Sequence, residues 1–160
     1  MAETAAPLAL YDDRVRPEWV DYNGHLSEAY YLLVFGFATD ALLDEVGMDA
    51  AYRERTATSL YTLEGHLCYL AEVQEGAPLH VTTRIVDLDD KRVHVFHELY
   101  RGLGGDRVAT AEILLCHVDT AAGRSSPVPD ELTVRFEALR DAHRGLPPEA
   151  RIGRSIALAR

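Results

Sequence analysis

Few cysteines, no long oily run and a shortage of positive charge each remove a class of protein from consideration. Cys68 and Cys116 are the only two cysteines, too few for a disulfide scaffold, and their spacing is no metal signature. Both sit inside apolar runs, so two reduced thiols in a cytoplasmic setting are expected. No stretch approaches the roughly 18 to 20 uninterrupted apolar residues of a bilayer-crossing helix, so no membrane partner is expected. The opening MAETAAPLALYDD carries Glu3 and no basic segment ahead of its short apolar run, unlike a secretory leader. With 16 Lys and Arg against 26 Asp and Glu the net charge is -10, and the acids are spread along the chain. Nucleic acid, which demands a concentrated basic surface, is a poor partner for such a chain. Neither a glycine-rich phosphate loop nor HExxH is present, and the seven histidines are scattered, so no metal and no resident cofactor is expected.

A coenzyme carried on the substrate is a different matter, because a few local cations hold it. Lys91, Arg92, Arg101, Arg107 and Arg124 are candidates. At 160 residues, 48% of them hydrophobic and 26% charged, the chain suits one folded domain. It is assigned to residues 1–145, with 146–160 as a C-terminal tail of ambiguous structure.

The periodicity sets the order of elements. YDDRVR (Tyr11 to Arg16) reads as a first strand, which Pro17 restricts. EWVDYNGH (Glu18 to His25) packs Asp, Asn and Gly into a turn. SEAYYLLVFGFATDALLDEV, from Ser27 to Val46, reads as one helix ended by Gly47. Ser27 can cap it, or the helix starts as early as Gly24. Its first half is apolar on almost every face, so it should be enclosed by protein, and Gly36 suggests close packing there. A short helix over Asp49 to Arg55 is followed by strands over Leu60–Leu70, Leu79–Leu88, Val93–Tyr100 and Val108–Val118. GLGGD (Gly102 to Asp106) makes a hairpin, and a helix follows from Glu131 to His143. In the first of these strands Tyr61, Leu63, Leu67 and Tyr69 should share one face, and Glu64, His66 and Cys68 the other. The economical architecture is α+β: a curved antiparallel sheet around the long helix, its outer face covered by a second subunit. A monomer covered by its own C-terminal helix is the alternative.

The polar residues cluster at the mouth of that helix. Asp21, Asn23, His25 and Glu28 surround Gly24, where free backbone N–H groups and the helix dipole favour negative charge. Attack on a thioester carbonyl needs a base and an oxyanion site. Asp21 could be general base or nucleophile, and the amides near Gly24 and His25 could hold the oxyanion. Asn23 could orient water or the carbonyl, and His25 could donate to the thioester oxygen. Each also has a plain role in a turn or cap. Glu64, interrupting a strand-like run, is a second candidate base if its strand passes the helix mouth, within the chain or from a second subunit. His66 and His97 could support the site, and Glu112 could serve a polar network at a dimer face.

WVDYNGHLSEAYY (Trp19 to Tyr31) with the apolar helix after it resembles the active-site segment of hot-dog thioesterases related to 4-hydroxybenzoyl-CoA thioesterase. That resemblance implies a hot-dog fold, an acid at Asp21, carbonyl-polarising amides at Gly24 and His25, and sites between subunits of a homodimer or dimer of dimers. Asn23 and His25 are similar to the Asn-x-His of the acyl-carrier branch, from which Ser27 departs. VTTRIVDLDDKRVHVFHEL (Val81 to Leu99) and HVDTAAGRSSPVPD (His117 to Asp130) add a closer likeness, to betainyl-CoA thioesterases associated with carnitine dehydrogenase. This likeness implies betainyl-CoA as substrate, with coenzyme A as part of it, and a cation-accepting pocket. Trp19, Tyr22, Tyr30, Tyr31 and Tyr61 are available to build that pocket. Other short-chain acyl-CoA specificity, a hydratase or dehydratase, and a non-catalytic acyl-CoA-binding module are the alternatives.

Overall fold

The computed structural model describes residues 5–158. The chain runs β1 (Leu8–Arg14), a single 3-10 turn (Pro17–Trp19), α1 (Glu28–Glu45), α2 (Ala50–Thr56) and β2 (Thr58–Tyr69). It continues through β3 (Pro78–Leu88), β4 (Arg92–Tyr100), β5 (Arg107–Asp119), the two-residue β6 (Arg124–Ser125) and α3 (Asp130–His143). The strands form one antiparallel sheet in the order β1-β3-β4-β5-β2, with β6 added to β5. The four long strands read from alternation end within two residues of expectation. β1 starts three residues earlier than expected, because LAL carries no alternation to mark it.

The sheet curls into a half-barrel around α1. Its concave rows are Val81, Thr83 and Ile85 on β3, Val93, Val95, His97 and Leu99 on β4, and Ala109, Ala111, Ile113 and Leu115 on β5, all buried. Tyr31, Val34, Phe35, Ala38, Leu42 and Leu43 of α1 face them. Phe35 stacks on the His97 imidazole with centroids 5.9 Å apart. Full burial of a side chain of this size contributes about 1.5 to 3 kcal/mol. The helix ends on Gly47, whose φ of 87° suits glycine. A Cβ there would also collide with Arg135, which reaches back from α3 to donate to the Val46 carbonyl at 2.6 Å.

Three expectations are corrected. First, α1 is not enclosed on every side: Leu32, half exposed at 50%, Leu33 and Gly36 form an open flank. The curled sheet stops at its edge strand β2, and a Cβ on Gly36 would meet nothing within 4 Å. Close packing within the chain therefore does not account for that glycine. Second, β2 carries a bulge between Thr62 and Glu64. The extra residue reverses the alternation, so Tyr61 pairs with Cys116 and shares the face of Glu64, His66 and Cys68, apart from Leu67 and Tyr69.

Third, the chain itself covers much of the sheet's outer face. Arg84 donates to the Pro147 carbonyl at 3.0 Å, and Glu98 receives both Arg84 and Arg107. Arg107 also reaches Glu149 at 2.7 Å, and Glu149 meets Arg151. Glu112 accepts from His94 at 2.7 Å and from the Gly153 amide at 2.9 Å, so its carboxylate is satisfied within the chain. α3 guards the part of β3 that β1 does not reach: His143 Nδ1 accepts the Ile85 amide at 2.9 Å. Both cysteines are free thiols, Cys116 buried and Cys68 half-buried.

Candidate active site

The turn ahead of α1 is fastened on two sides before any chemistry is considered. Leu26 N–H donates to Val73 O at 2.7 Å and Ser27 N–H to Trp19 O at 2.9 Å, and Trp19, Leu26 and Val73 are all buried. Between these anchors the chain folds back on itself: Asp21 N–H donates to His25 O and Gly24 N–H to Asp21 O, each at 2.9 Å. Gly24 has a φ of 76°, which the turn requires and a side chain would resist. Asp21 Oδ1 accepts the Asn23 amide at 2.8 Å. That bond fixes the carboxylate, while Oδ2 has no hydrogen-bond partner among the described residues.

The helix starts at Glu28, not at Gly24, with Ser27 in the cap position and no side-chain capping bond. The Gly24 amide is spent inside the turn, so it does not supply the oxyanion donor expected of it. The His25 amide has no partner among the described residues. Tyr30 N–H donates to Ser27 O at 2.9 Å, which leaves the Glu28 and Ala29 amides of the first turn without partners among the described residues, and the helix dipole adds to them.

Asp21, Asn23, His25 and Glu28 line one open cavity of roughly 400 Å³ together with Tyr31, Tyr69, Leu70, Ala71 and Glu72. The predicted polar constellation is thus brought together. His25 Nε2 lies 3.4 Å from Glu72 Oε2. An adjoining cavity of roughly 360 Å³ shares His25 and Glu72 and adds Gln74, Ala77 and Arg101. Arg101 donates to the Glu72 carbonyl at 2.8 Å. Of the five proposed coenzyme cations, Arg101 therefore adjoins the site. Arg92 is paired with Asp89, and Arg107 with Glu98 and Glu149.

Glu64 is elsewhere. It lines a separate cavity of roughly 560 Å³ on the outer face, with Gly65, His66, His94, Glu112 and the Gly153–Ile156 segment. One chain does not bring it to Asp21. His97 is fully buried and serves the core: Nδ1 meets Thr83 Oγ1 at 2.8 Å and Nε2 meets Thr39 Oγ1 at 3.0 Å. Burial holds its pKa down at about 4. His66 contacts the Cys68 sulfur at 4.0 Å and lines the outer-face cavity with Glu64.

The aromatic expectations divide. Tyr31 lines the cavity. Trp19 is core, stacked on Tyr30 at 5.9 Å with the Arg16 guanidinium 4.6 Å above its ring. Tyr22 points into solvent at 97% exposure. Tyr61 lies beyond the β2 bulge, on the outward face of the sheet. The aromatic that sequence reasoning left out is Tyr69. It meets Tyr31 edge to face at 5.2 Å, and its hydroxyl donates to Glu28 O at 3.4 Å. Its signal was the alternation that set Tyr69 beside Leu67 on the concave face. Burial first, and Glu72 next, push the Tyr31 phenol up; burial and Glu28 do the same for Tyr69.

A half-barrel around a helix whose polar mouth opens on a cavity is the architecture of the hot-dog thioesterases. The chain belongs to the thioesterase-like superfamily, whose model matches residues 15–136. It is 48% identical to a betainyl-CoA thioesterase of Pseudomonas aeruginosa over 94% of this chain and 95% of that one. It is 39% identical to an L-carnitine dehydrogenase/betainyl-CoA thioesterase of Rhizobium meliloti, matching 99% of this chain but 32% of the larger protein. Among solved structures, a Staphylococcus aureus protein in complex with CoA superposes with a TM-score of 0.88, is 25% identical, and matches 99% of this chain and 100% of that one.

Proposed function

We propose that the chain hydrolyses betainyl-CoA to glycine betaine and coenzyme A. The observation that carries the chemistry is the fixed Asp21 carboxylate, with one oxygen tied to Asn23 N–H and the other open to the cavity at the amino end of α1. Asp21 Oδ2 takes a proton from water as the water oxygen adds to the thioester carbonyl. The His25 amide and the first turn of α1 hold the resulting oxyanion. The tetrahedral species then expels the CoA thiolate by breaking the C–S bond, and the thiolate takes up the proton that Asp21 carried. Asn23 sets the base, Gly24 permits the turn, and the His25 side chain lies at the carbonyl.

The relatives' names supply the acyl group: two proteins matched along nearly this whole chain are named for betainyl-CoA. The second of them carries an L-carnitine dehydrogenase in the same polypeptide, which supports work beside such an enzyme. A homodimer fits the surface. β2 is an edge strand with an open side, Leu63 on it is 58% exposed, and the bare flank of α1 supplies Leu32, Leu33 and Gly36. Pairing two β2 edges would cover strand and flank together, and Glu64 would reach a helix mouth only across that contact. A hydratase has no comparable support, since His97 is committed to two threonines and His66 to the outer face.

The test is release of free thiol from betainyl-CoA by the purified protein. Turnover that exceeds background and collapses in Asp21→Asn is expected. Background release alone, or release unaffected by that change, overturns the proposal.

A further inference from the structure

The two cavities at the helix mouth differ in charge. The first presents Asp21, Glu28 and Glu72 with no Lys or Arg on its wall. The second, across the shared His25 and Glu72, holds Arg101. The aromatic pair lies in the first only. Tyr69 is 52% exposed, so part of its ring remains open while Tyr31 stands edge to face with it. Its position is fixed from both ends of the contact, by Tyr69 Oη on the Glu28 carbonyl and by Tyr31 Oη on the Ala71 carbonyl at 3.2 Å. Burial is the main reason both phenols are pushed up in pKa; Glu72 adds to it at Tyr31, against Arg101, and Glu28 adds to it at Tyr69.

We infer that Tyr69 and Tyr31, with Glu28 and Glu72 beside them, form a subsite for the quaternary ammonium of the acyl group and thereby set both specificity and substrate direction. The inference rests on the thioesterase reading above and adds to it the residues that choose the acyl group. A quaternary ammonium has no N–H to donate and is weakly hydrated, so it is recognised by ring faces and by unpaired negative charge nearby. The carbonyl then lies beside His25 and Asp21, and the leaving coenzyme thiol points toward Arg101. The aromatics expected from the sequence at Trp19, Tyr22, Tyr30 and Tyr61 take no part.

The experiment compares betainyl-CoA with 3,3-dimethylbutanoyl-CoA, which replaces the ammonium nitrogen by carbon and keeps the shape. The wild-type protein should favour the charged ester at least tenfold in kcat/KM. Tyr69→Leu and Glu28→Gln should each reduce the preference for the charged over the neutral ester, read as the ratio of their kcat/KM values, by about threefold to thirtyfold, the range of one cation–π or ionic contact. Tyr69→Phe, which keeps the ring, should keep the preference. Equal turnover of the two esters, or equal loss on both in the variants, overturns the subsite while the hydrolase reading stands. A tyrosine-fluorescence titration with glycine betaine and with 3,3-dimethylbutanoate separates the remaining case. Should neither ester be hydrolysed, saturation by glycine betaine alone, lost in Tyr69→Leu, would uphold the subsite and sink the reaction. Absence of such binding would overturn both.

Discussion

The Asn23 amide donates to Asp21 Oδ1 at 2.8 Å, and this one bond separates what Asp21 does for the fold from what it does for the reaction. An asparagine at position 21 keeps an oxygen for Asn23 and loses the base. Asp21→Asn is therefore expected to melt within a degree or two of the parent, while kcat for thiol release falls about 100- to 10,000-fold, the usual span for removing a general base. Thermal unfolding and a thiol-release assay on the same preparation check both halves. A large drop in melting temperature would make Asp21 a structural residue instead.

His97 makes acid the weak point of the core. Burial holds its pKa down to about 4 from an ordinary 6.5, so the folded protein refuses a proton that the unfolded chain accepts. Stability from this group is fully present above about pH 6.5 and is lost as the pH falls from there toward 4, by about 3 kcal/mol in total. His143 and His117 are also pushed down by burial and add in the same direction. Urea unfolding at pH 7.5 and pH 5 should show the loss. His97→Gln, which keeps hydrogen-bonding capacity toward Thr39 and Thr83, should flatten that dependence at some cost in stability at neutral pH. An unchanged pH slope in the variant would remove His97 as its source.

The sequence conveyed the local rules well and the long-range ones poorly. Alternation placed four strands, and the apolar run with Gly47 placed α1, because those signals are properties of a single segment. The Asp21–His25 turn was legible for the same reason, since Asp, Asn and Gly carry their own backbone preferences. Tyr61 was misplaced because one bulged residue at Thr62–Glu64 reverses the faces, and nothing in TSLYTLEGHLCY marks where the bulge falls. Glu64 was a candidate base only if its strand passes a helix mouth, in the chain or from a second subunit; within one chain the carboxylate that adjoins His25 is Glu72, from a loop without periodicity. The cover on the outer face escaped notice because its glue is ionic and distant in sequence, joining Arg107 to Glu149.

That ionic cover is expected to be stabilising in a measurable way. The Glu98 side chain is nearly inaccessible and is held by Arg84 and Arg107. Removing one partner of a buried pair leaves charge without compensation and typically costs about 3 to 5 kcal/mol. Arg107→Met should lose about 3 kcal/mol in urea unfolding, since Arg84 stays to share Glu98, and should raise amide exchange at Gly153. Glu98→Gln in the Arg107→Met background should recover part of the loss. No loss in the single variant would show that the C-terminal segment does not hold the outer face.

Gly36 provides a test of the subunit contact that does not depend on activity. Within one chain a Cβ at this position meets nothing, and Leu32 and Leu33 beside it stand in the open. For an isolated subunit, Gly36→Ala should stabilise α1 by about 1 kcal/mol, because alanine is the better helix former. For a dimer whose helices or edge strands close over this flank, a larger side chain obstructs the approach, and Gly36→Leu should weaken association. Sedimentation velocity of the parent should give a dimer, and Gly36→Leu should dissociate at least tenfold more readily with its helical circular dichroism intact. Leu63→Arg on the β2 edge should act in the same direction. A parent that sediments as a monomer, or a Gly36→Leu protein that pairs as tightly as the parent, would place the contact elsewhere and free Glu64 from any part in the reaction.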